Sequence, residues 1–212
     1  MKDGLDRTQR GGFDAGDDRP DPLLFSSAFG EFGVDPSRLV TWGARAAAIG
    51  ASVLPSEHGT ALLRSLWSRD KYMGRLGVAA ISRLERFFDF AMVAAGRNVI
   101  EQEEHGNFMI VLLSGSVAVD RLQPWGEQMR MAEARPGDIL GEMSLLDSGM
   151  RFAHCTTLTH CEIGVLDADA LDGMMASDPE LAASLIALLA RRLSLRLRTV
   201  GARVSDRQKS LK

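Results

Sequence analysis

The sequence feature that most constrains this chain is a change of pattern after Asp89, where short apolar runs begin to alternate with turn residues. The runs include MVAAG, FMIVLLSGSVAV and EIGVLDADAL, and a polar turn at residues 123–126 (QPWG) interrupts them. Many short strands at regular intervals are typical of an all-β sandwich or barrel. Because a small antiparallel sheet exposes its edges unless it closes on itself, the pattern predicts a closed β-barrel.

Helical periodicity precedes and follows the predicted barrel. Residues 35–54 carry a broad apolar face at helical spacing, a second helix is predicted after Ser56, and a third from Gly77 to about Phe88. The helical period returns at Pro179 and continues to about Arg198. We therefore predict an α+β fold with N-terminal helices, a jelly-roll barrel and one long C-terminal helix. The N-terminal helices show no chemical motif.

These patterns divide the chain into four parts. Residues 1–30 are polar and rich in Gly and Asp, so they cannot bury enough apolar area to offset the entropy of ordering. We predict a flexible arm there, followed by a helical extension over residues 31–76. The barrel domain is predicted over residues 77–178, and the long helix with a basic tail over residues 179–212.

The composition excludes several classes of protein. Hydrophobic residues make up 45% of the chain and charged residues 25%, as in ordinary folded proteins. The net charge of −3 provides no global field that would attract nucleic acid. Two cysteines cannot form a disulfide scaffold and favour a reducing compartment. Since no segment resembles a secretion signal or a membrane span, we expect a cytoplasmic protein with no membrane partner.

The segment between Gly141 and Arg151 is the part of the sequence that points to a ligand. Gly141 permits close backbone approach, and residues 142–146 (EMSLL) leave room for only one or two helical turns, whose first amides can bind an anion. Arg151 would add a fixed charge and a planar fork of donors. Glu142 is suited to accept a hydrogen bond from a hydroxyl of the same ligand. An anion together with a hydroxyl describes a sugar phosphate.

Several motifs support the interpretation of a sugar phosphate site: GRNVI at residues 96–100, HGN at 105–107, RPGDILGE at 135–142, RFA at 151–153 and TLTHCE at 157–162. Through these motifs, residues 96–171 resemble a cyclic nucleotide-binding domain, as found in catabolite activator protein and in the regulatory subunits of cAMP-dependent kinase. With its flanking helices the resemblance covers about residues 77–200. It implies a regulatory protein rather than an enzyme, with cAMP or cGMP as the ligand and no cofactor.

The resemblance also implies roles for individual residues. Arg151 would pair with the cyclic phosphate, and Glu142 would accept from the ribose 2′-hydroxyl. The backbone amides of Met143 and Ser144 would complete the phosphate site, with Gly141 leaving room for the ligand. Ordering of the C-terminal helix over the pocket would then report that the site is occupied.

Three further residues complete the expected ligand site: Phe152, Ala153 and Arg196. The family usually has a small residue after the arginine, so the Phe152 ring either stacks on a purine or fills the pocket. Arg196 aligns with a position of the long helix that meets the base, where it could donate to guanine or stack on a purine. The identity of the base therefore stays open.

A structural alternative exists for each of the main site residues. Glu142 and Arg151 could form an ion pair across the turn, and Phe152 could belong to the core. The domain would then be a degenerate member of the family that acts as a protein interaction module. Its pocket could also bind another ligand, such as cyclic di-GMP.

The C-terminal helix carries two apolar stripes. One has the spacing of a two-helix coiled coil and comprises Ala182, Ile186, Leu189, Leu193, Arg196, Val200 and Arg203. The other can cover the barrel and comprises Leu181, Leu185, Leu188 and Leu195. We predict a parallel homodimer through this helix, the alternative being a helix buried within a monomer. Within the coiled-coil stripe Arg196 requires an anion, an acceptor or solvent.

Other activities are set aside on sequence grounds. From Arg191 onward the chain has eight basic residues and one acid, but too few residues follow Val200 for a three-helix DNA reader. We expect no sequence-specific DNA binding by this chain alone, and output through an unidentified effector protein. The pairs His154-Cys155 and His160-Cys161 lie roughly 20 Å apart on an extended strand, too far to share a metal ion. No nucleophile or nucleotide-fingerprint motif indicates an enzyme.

Overall fold

The structure, a computed structural model, describes the backbone of residues 24–209 and the side chains of residues 24–198. The α-helices of this part are α1 (Leu24–Glu31), α2 (Trp42–Ile49), α3 (Ser56–Arg69), α4 (Gly77–Leu84), α5 (Glu142–Asp147), α6 (Ala168–Ser177) and α7 (Pro179–Lys209). The strands are β1 (Leu39–Val40), β2 (Ser52–Val53), β3 (Asp89–Val93), β4 (Asn98–Ile100), β5 (His105–Gly106), β6 (Phe108–Ser114), β7 (Val117–Leu122), β8 (Gln128–Ala134), β9 (Ile139–Leu140), β10 (His154–Thr157) and β11 (Cys161–Asp167). Short 3₁₀ helices cover Pro36–Arg38, Met73–Leu76 and Glu85–Phe87.

Two antiparallel sheets form the predicted barrel. One has five strands in the order β2-β3-β11-β6-β9, and the other has four in the order β4-β10-β7-β8. Strands β6 and β11 are almost wholly buried, as their nearly continuous apolar sequences require. A two-stranded parallel pair, β1 and β5, lies beside them. The α+β jelly-roll architecture with a long C-terminal helix is therefore confirmed.

The N-terminal extension contributes two short strands as well as helices. The predicted helix over residues 35–54 is wrong as one element, because the chain there forms a 3₁₀ turn, β1, α2 and β2. Strand β2 joins the five-stranded sheet, and β1 pairs with β5. Thr41 accepts from the Ala44 amide and so begins α2, while Gly50 ends it in the left-handed conformation.

The hydrophobic core also crosses the predicted boundary at residue 77. Leu63 and Trp67 of α3 are fully buried in one cluster with Phe88, Met109 and residues of α6 and α7. A second cluster fills the barrel and includes Trp42 of α2, which packs edge-on against Phe108. Both clusters take apolar side chains from each side of the boundary, so the extension and the barrel form one packing unit.

Helix α1 corrects the predicted extent of the flexible arm. Residues 1–23 lie outside the described residues, but residues 24–30 belong to a helix whose Phe25 and Phe29 are buried. The buried Asp172 carboxylate of α6 accepts from the amides of Phe25 and Ser26 at 2.8 Å each, and from the Ser26 hydroxyl. The composition of residues 1–30 concealed this helix, because its main partner lies more than a hundred residues further along the chain.

Helix α7 packs against α6, α4 and the 3₁₀ helix Met73–Leu76 with residues from both predicted stripes. Its buried residues are Leu181, Ala182, Leu185 and Leu189. Ala182 and Leu189 had been assigned to the coiled-coil stripe, so that division is wrong for the first half of the helix. Beyond Leu189 the helix is progressively exposed, with Leu197 73% accessible. None of the helices in the described part is long and apolar enough to cross a membrane.

Candidate functional site

The segment predicted to bind a phosphate forms a short helix between two left-handed residues. Strand β9 ends at Leu140, Gly141 takes φ 79°, α5 follows, and Ser148 takes φ 54°. A Cβ on Gly141 would run into the Arg151 guanidinium and approach the Ile100 side chain within 2.9 Å. Glycine is required here because both the backbone conformation and the close packing exclude a side chain.

Arg151 points into the barrel. It is 2% exposed, its Nη1 donates to the Gly141 carbonyl at 2.7 Å, and its Nη2 donates to the Phe108 carbonyl at 2.6 Å. The guanidinium carbon also lies 4.7 Å from the centroid of the Phe108 ring. Among the described residues its Nε has no hydrogen-bond partner. The side chain is thus fixed in place and retains one buried donor that is not used.

The charge of Arg151 is only partly compensated. Burial lowers the pKa of its guanidinium to about 10, and the nearest carboxylates, Glu104 and Glu142, offset this only in part. The group is still a cation at neutral pH. A buried cation without an ion-pair partner is costly, so an anion at this position would be favoured.

Backbone bonds fix the chain on which Arg151 stands. Its amide donates to the Glu104 carbonyl at 2.8 Å, and its carbonyl accepts from the Glu103 amide at 2.9 Å. On the other side, Gly106 leaves the space that the guanidinium occupies, since a Cβ there would lie 2.7 Å from Nη2. The HGN motif therefore contributes to the site through the missing side chain of its glycine.

Glu142 is buried but does not pair with Arg151. Its exposed fraction is 6%, and its Oε1 accepts from Arg196 Nη1 of α7 at 3.0 Å. The alternative of a Glu142–Arg151 ion pair is therefore wrong. One turn earlier on α7, Arg192 donates to Asp138 at 3.0 Å, in the turn that precedes β9. Two arginines of α7 thus contact the segment from Asp138 to Glu142.

Arg196 obtains its acceptor from the protein itself. An arginine in the coiled-coil stripe was predicted to need an anion, an acceptor or solvent, and the Glu142 carboxylate is that acceptor. The Arg196 side chain is 52% exposed, so it also remains accessible to solvent at the mouth of the site. Whether it contacts a base stays a prediction.

Phe152 does not fill the pocket. Its side chain is 51% exposed, so the interpretation of Phe152 as a core residue is wrong. The guanidinium of Arg121, on β7, stacks on its ring at 3.8 Å from the centroid. The neighbouring Ala153 is buried, and so is Ser144, whereas Met143 is 44% exposed. Main-chain alternation explains why Phe152 is exposed between two buried residues, because the Arg151 and Ala153 side chains point toward the core and the Phe152 side chain points toward solvent.

Cys155 lies behind Arg151 as an inert packing residue. Burial raises the pKa of its thiol to about 12, despite the nearby Arg151 charge. A neutral, buried thiol is a poor nucleophile and a poor metal ligand. Within the part of the chain that the structure describes, no three His, Cys, Asp or Glu side chains come together as a metal site would require.

Sequence reasoning missed the residues that support this site from elsewhere in the chain. They are Gly106, Phe108, Arg121, Asp138 and Arg192. Gly106 and Asp138 belong to the motifs HGN and RPGDILGE, on which the family resemblance rests, so these motifs could have pointed to both residues. Nothing in the local sequence distinguishes Arg121 or Arg192 from solvent-facing arginines.

Comparison with known proteins finds relatives of the part of the chain that contains this segment. The family model of the cyclic nucleotide-binding domain matches residues 91–178. The CRP-like cAMP-activated global transcriptional regulator of Mycobacterium tuberculosis is 31% identical over 130 residues, which covers 58% of this chain and 58% of the relative. The cyclic AMP receptor protein of Thermus thermophilus is 32% identical over 107 residues, or 50% of each chain. The chain therefore spans little more than half the length of these relatives.

Solved structures show the same fold. The N-terminal domain of a transcriptional regulator from Streptomyces coelicolor has 27% identity and a TM-score of 0.55, and the match covers 64% of this chain and 94% of that one. A cyclic nucleotide-binding domain from Methylobacillus flagellatus has a TM-score of 0.67 at 22% identity, covering 74% of this chain and 89% of that one. The second similarity establishes the fold alone.

Proposed function

Because the chain belongs to the cyclic nucleotide-binding domain family through residues 91–178, we propose that it is a cytoplasmic sensor of cAMP or cGMP that acts without catalysis. The observation that carries the proposal is Arg151, a buried guanidinium that is fixed by two carbonyls and keeps an unused Nε donor. A cyclic phosphate is a monoanion with oxygens that can accept from such a group. It would also relieve the uncompensated charge.

The remaining site residues support a sugar phosphate rather than a simple anion. The Glu142 carboxylate lies at the start of α5, close enough to Arg151 for their charges to interact, and suits a ribose 2′-hydroxyl. Gly141 leaves the approach open, and the first amides of α5, at Met143 and Ser144, complete the phosphate site.

Ligand binding is coupled to α7 in this proposal through Glu142. The carboxylate assigned to the ribose hydroxyl is the same group that accepts from Arg196 of α7. A ligand hydroxyl that donates to Glu142 therefore competes with Arg196 for the carboxylate. The position of α7 that binds the ligand more tightly then becomes more populated. Arg192 and Asp138 provide a second contact that moves with the same helix.

Calorimetric titration of the wild-type chain with cAMP, cGMP and cyclic di-GMP tests the proposal. We expect binding of at least one cyclic mononucleotide, and an affinity at least about tenfold lower for its 2′-deoxy analogue, because the analogue has no hydroxyl to donate to the Glu142 carboxylate and loses a charge-assisted hydrogen bond. In Glu142→Gln the difference between the ribose and deoxyribose ligands should shrink. Amide hydrogen exchange of residues 189–198 should change when the site is saturated.

The outcomes separate the candidate functions. No heat with any of the three ligands would contradict the sensor and favour the protein interaction module. Heat with cyclic di-GMP alone would identify a different ligand for the pocket. Nucleotide binding without any change of exchange in α7 would contradict the coupling and leave the binding function standing.

We further propose that α7 forms a parallel homodimer with its copy. The helix extends well beyond Leu189, its last buried residue in the part whose side chains are described, and Leu193 is only half-buried while Leu197 is exposed. A second α7 would cover apolar area that otherwise contacts water.

Light scattering is expected to give about 46 kDa, twice the 23.0 kDa of one chain. Leu193→Glu places a charge in the coiled-coil stripe and should give a monomer. Ser194→Glu is the matched control, because Ser194 is exposed on the outer side of the same turn, and it should leave the dimer intact. A mass near 23.0 kDa for the wild type with and without nucleotide would contradict the dimer.

A further inference from the structure

A second, unused cationic group lies beside the proposed phosphate site. The guanidinium carbon of Arg121, on β7, lies over the Phe152 ring at 3.8 Å from the centroid. Its Nη1 is buried and has no hydrogen-bond partner among the described residues, and no described carboxylate forms an ion pair with it. The carboxylate next to it in sequence, Asp120, is already paired with Arg130 of β8.

Strand β7 places Arg121 on the face of the sheet that points into the barrel. Val117 and Val119 precede it at every second position and so lie on the same face, and both pack in the hydrophobic cluster that fills the barrel. The extra residue at the bulge lies in β8, between the partners of Val119 and Asp120, so the alternation of β7 is uninterrupted. Arg121 therefore lies at the rim of the barrel, at the end of its inner face, where its guanidinium contacts the half-exposed Phe152 ring.

We propose that Arg121 and Phe152 form the base-reading part of the pocket and select guanine over adenine. This inference rests on the proposed function, in which Arg151 takes the phosphate. Guanine presents two acceptors, O6 and N7, that match the fork of a guanidinium, whereas adenine presents one acceptor and one donor. Phe152 fixes the guanidinium in one plane, so little side-chain freedom is lost when the base binds.

Other occupants fit these observations less well. An apolar ligand would leave the buried Nη1 donor unpaired, and a protein carboxylate would have to enter a pocket that already contains the Glu142 carboxylate. A second phosphate, as in a cyclic dinucleotide, could also accept from Arg121, and the test below separates that case from guanine.

Titration with cGMP, cAMP and cyclic di-GMP should be compared for the wild type, Arg121→Gln and Arg135→Gln. Arg135→Gln is the matched control, since it removes the same charge from an exposed arginine in the turn before β9. The wild type is expected to bind cGMP at least about fivefold more tightly than cAMP. Arg121→Gln should remove that preference by weakening cGMP while cAMP changes less than about twofold, and Arg135→Gln should change neither. Phe152→Ala should weaken cGMP in the same direction.

Each other result overturns the inference in a recognisable way. Equal weakening of cAMP and cGMP in Arg121→Gln would show that Arg121 contributes only charge. A wild-type preference for cAMP that Arg121→Gln leaves unchanged would show that the base lies elsewhere. Binding of cyclic di-GMP alone would assign Arg121 to a second phosphate. Failure of the wild type to bind any cyclic nucleotide would overturn the proposed function as well, whereas the first two results leave it intact.

Discussion

Arg151→Ala is expected to weaken cyclic nucleotide binding by about 10- to 100-fold, the equivalent of one charge-assisted contact. The reason is that the phosphate would then lose the buried cation that we propose pairs with it. Arg151→Lys should lie between the wild type and the alanine variant, because lysine keeps the charge but lacks the planar fork of donors. The affinities are measured by calorimetry with the nucleotide that binds the wild type more tightly.

Thermal unfolding provides a second readout for the same substitution. At a ligand concentration of about 100 times Kd the wild type gains about 2.7 kcal/mol, which raises Tm by about 5–10 °C in a chain of this size. Arg151→Ala should show little of this shift at the same ligand concentration. Arg135→Ala removes an exposed arginine from the turn before β9 and is the control. An undiminished ligand-induced shift in Arg151→Ala would contradict the proposed phosphate site.

Arg45→Met is expected to lower the free energy of unfolding by about 3–5 kcal/mol, the typical cost of removing one partner from a buried ion pair. Arg45 is 7% exposed in α2 and contacts Glu101 at 2.9 Å and also Glu104, whose side chain is 13% exposed. Without Arg45 the Glu104 carboxylate stays buried and uncompensated. Denaturant unfolding measures the loss, and Tm should fall by about 10 °C.

Two further variants show whether the buried charge causes this loss. Arg83→Met removes an arginine from an ion pair with Asp178 in which the arginine is 48% exposed, so it should cost no more than about 1 kcal/mol. Adding Glu104→Gln to Arg45→Met should recover part of the stability, since the unpaired charge is then absent. A loss below about 1 kcal/mol in Arg45→Met would show that this contact contributes no more than a surface pair.

Arg45 also connects the N-terminal extension to the proposed ligand site. The backbone carbonyl of its partner Glu104 accepts from the Arg151 amide, and β1 pairs with β5 at Gly106, beside the Arg151 guanidinium. The extension carries no chemical motif, and local patterns could not have revealed this connection. An arginine among alanines in an amphipathic helix has the local pattern of a solvent-facing residue until its carboxylate partners are known.

The site was predictable from sequence where it depends on neighbours along the chain. Gly141, Glu142 and Arg151 lie within one short turn-helix-turn segment, so residue type and spacing were enough to expect an anion site there. Phe152 was ambiguous because alternation alone does not say which face of the chain is inside. The partner of Glu142 was not predictable, since Arg196 lies 54 positions away on another element.

The amino-acid sequence by itself determined the order of the helices and strands. The spacing of apolar residues and the positions of turn residues act over a few positions along the chain, so they specify strands, helices and the glycine turns between them. The tertiary structure alone decided that residues 24–30 form a helix on Asp172, that the extension shares the barrel core, and which charges meet. Those outcomes depend on burial and on pairing between distant segments. These contacts stabilise the protein only when distant segments have come together in the folded chain, so no local sequence pattern predicts them.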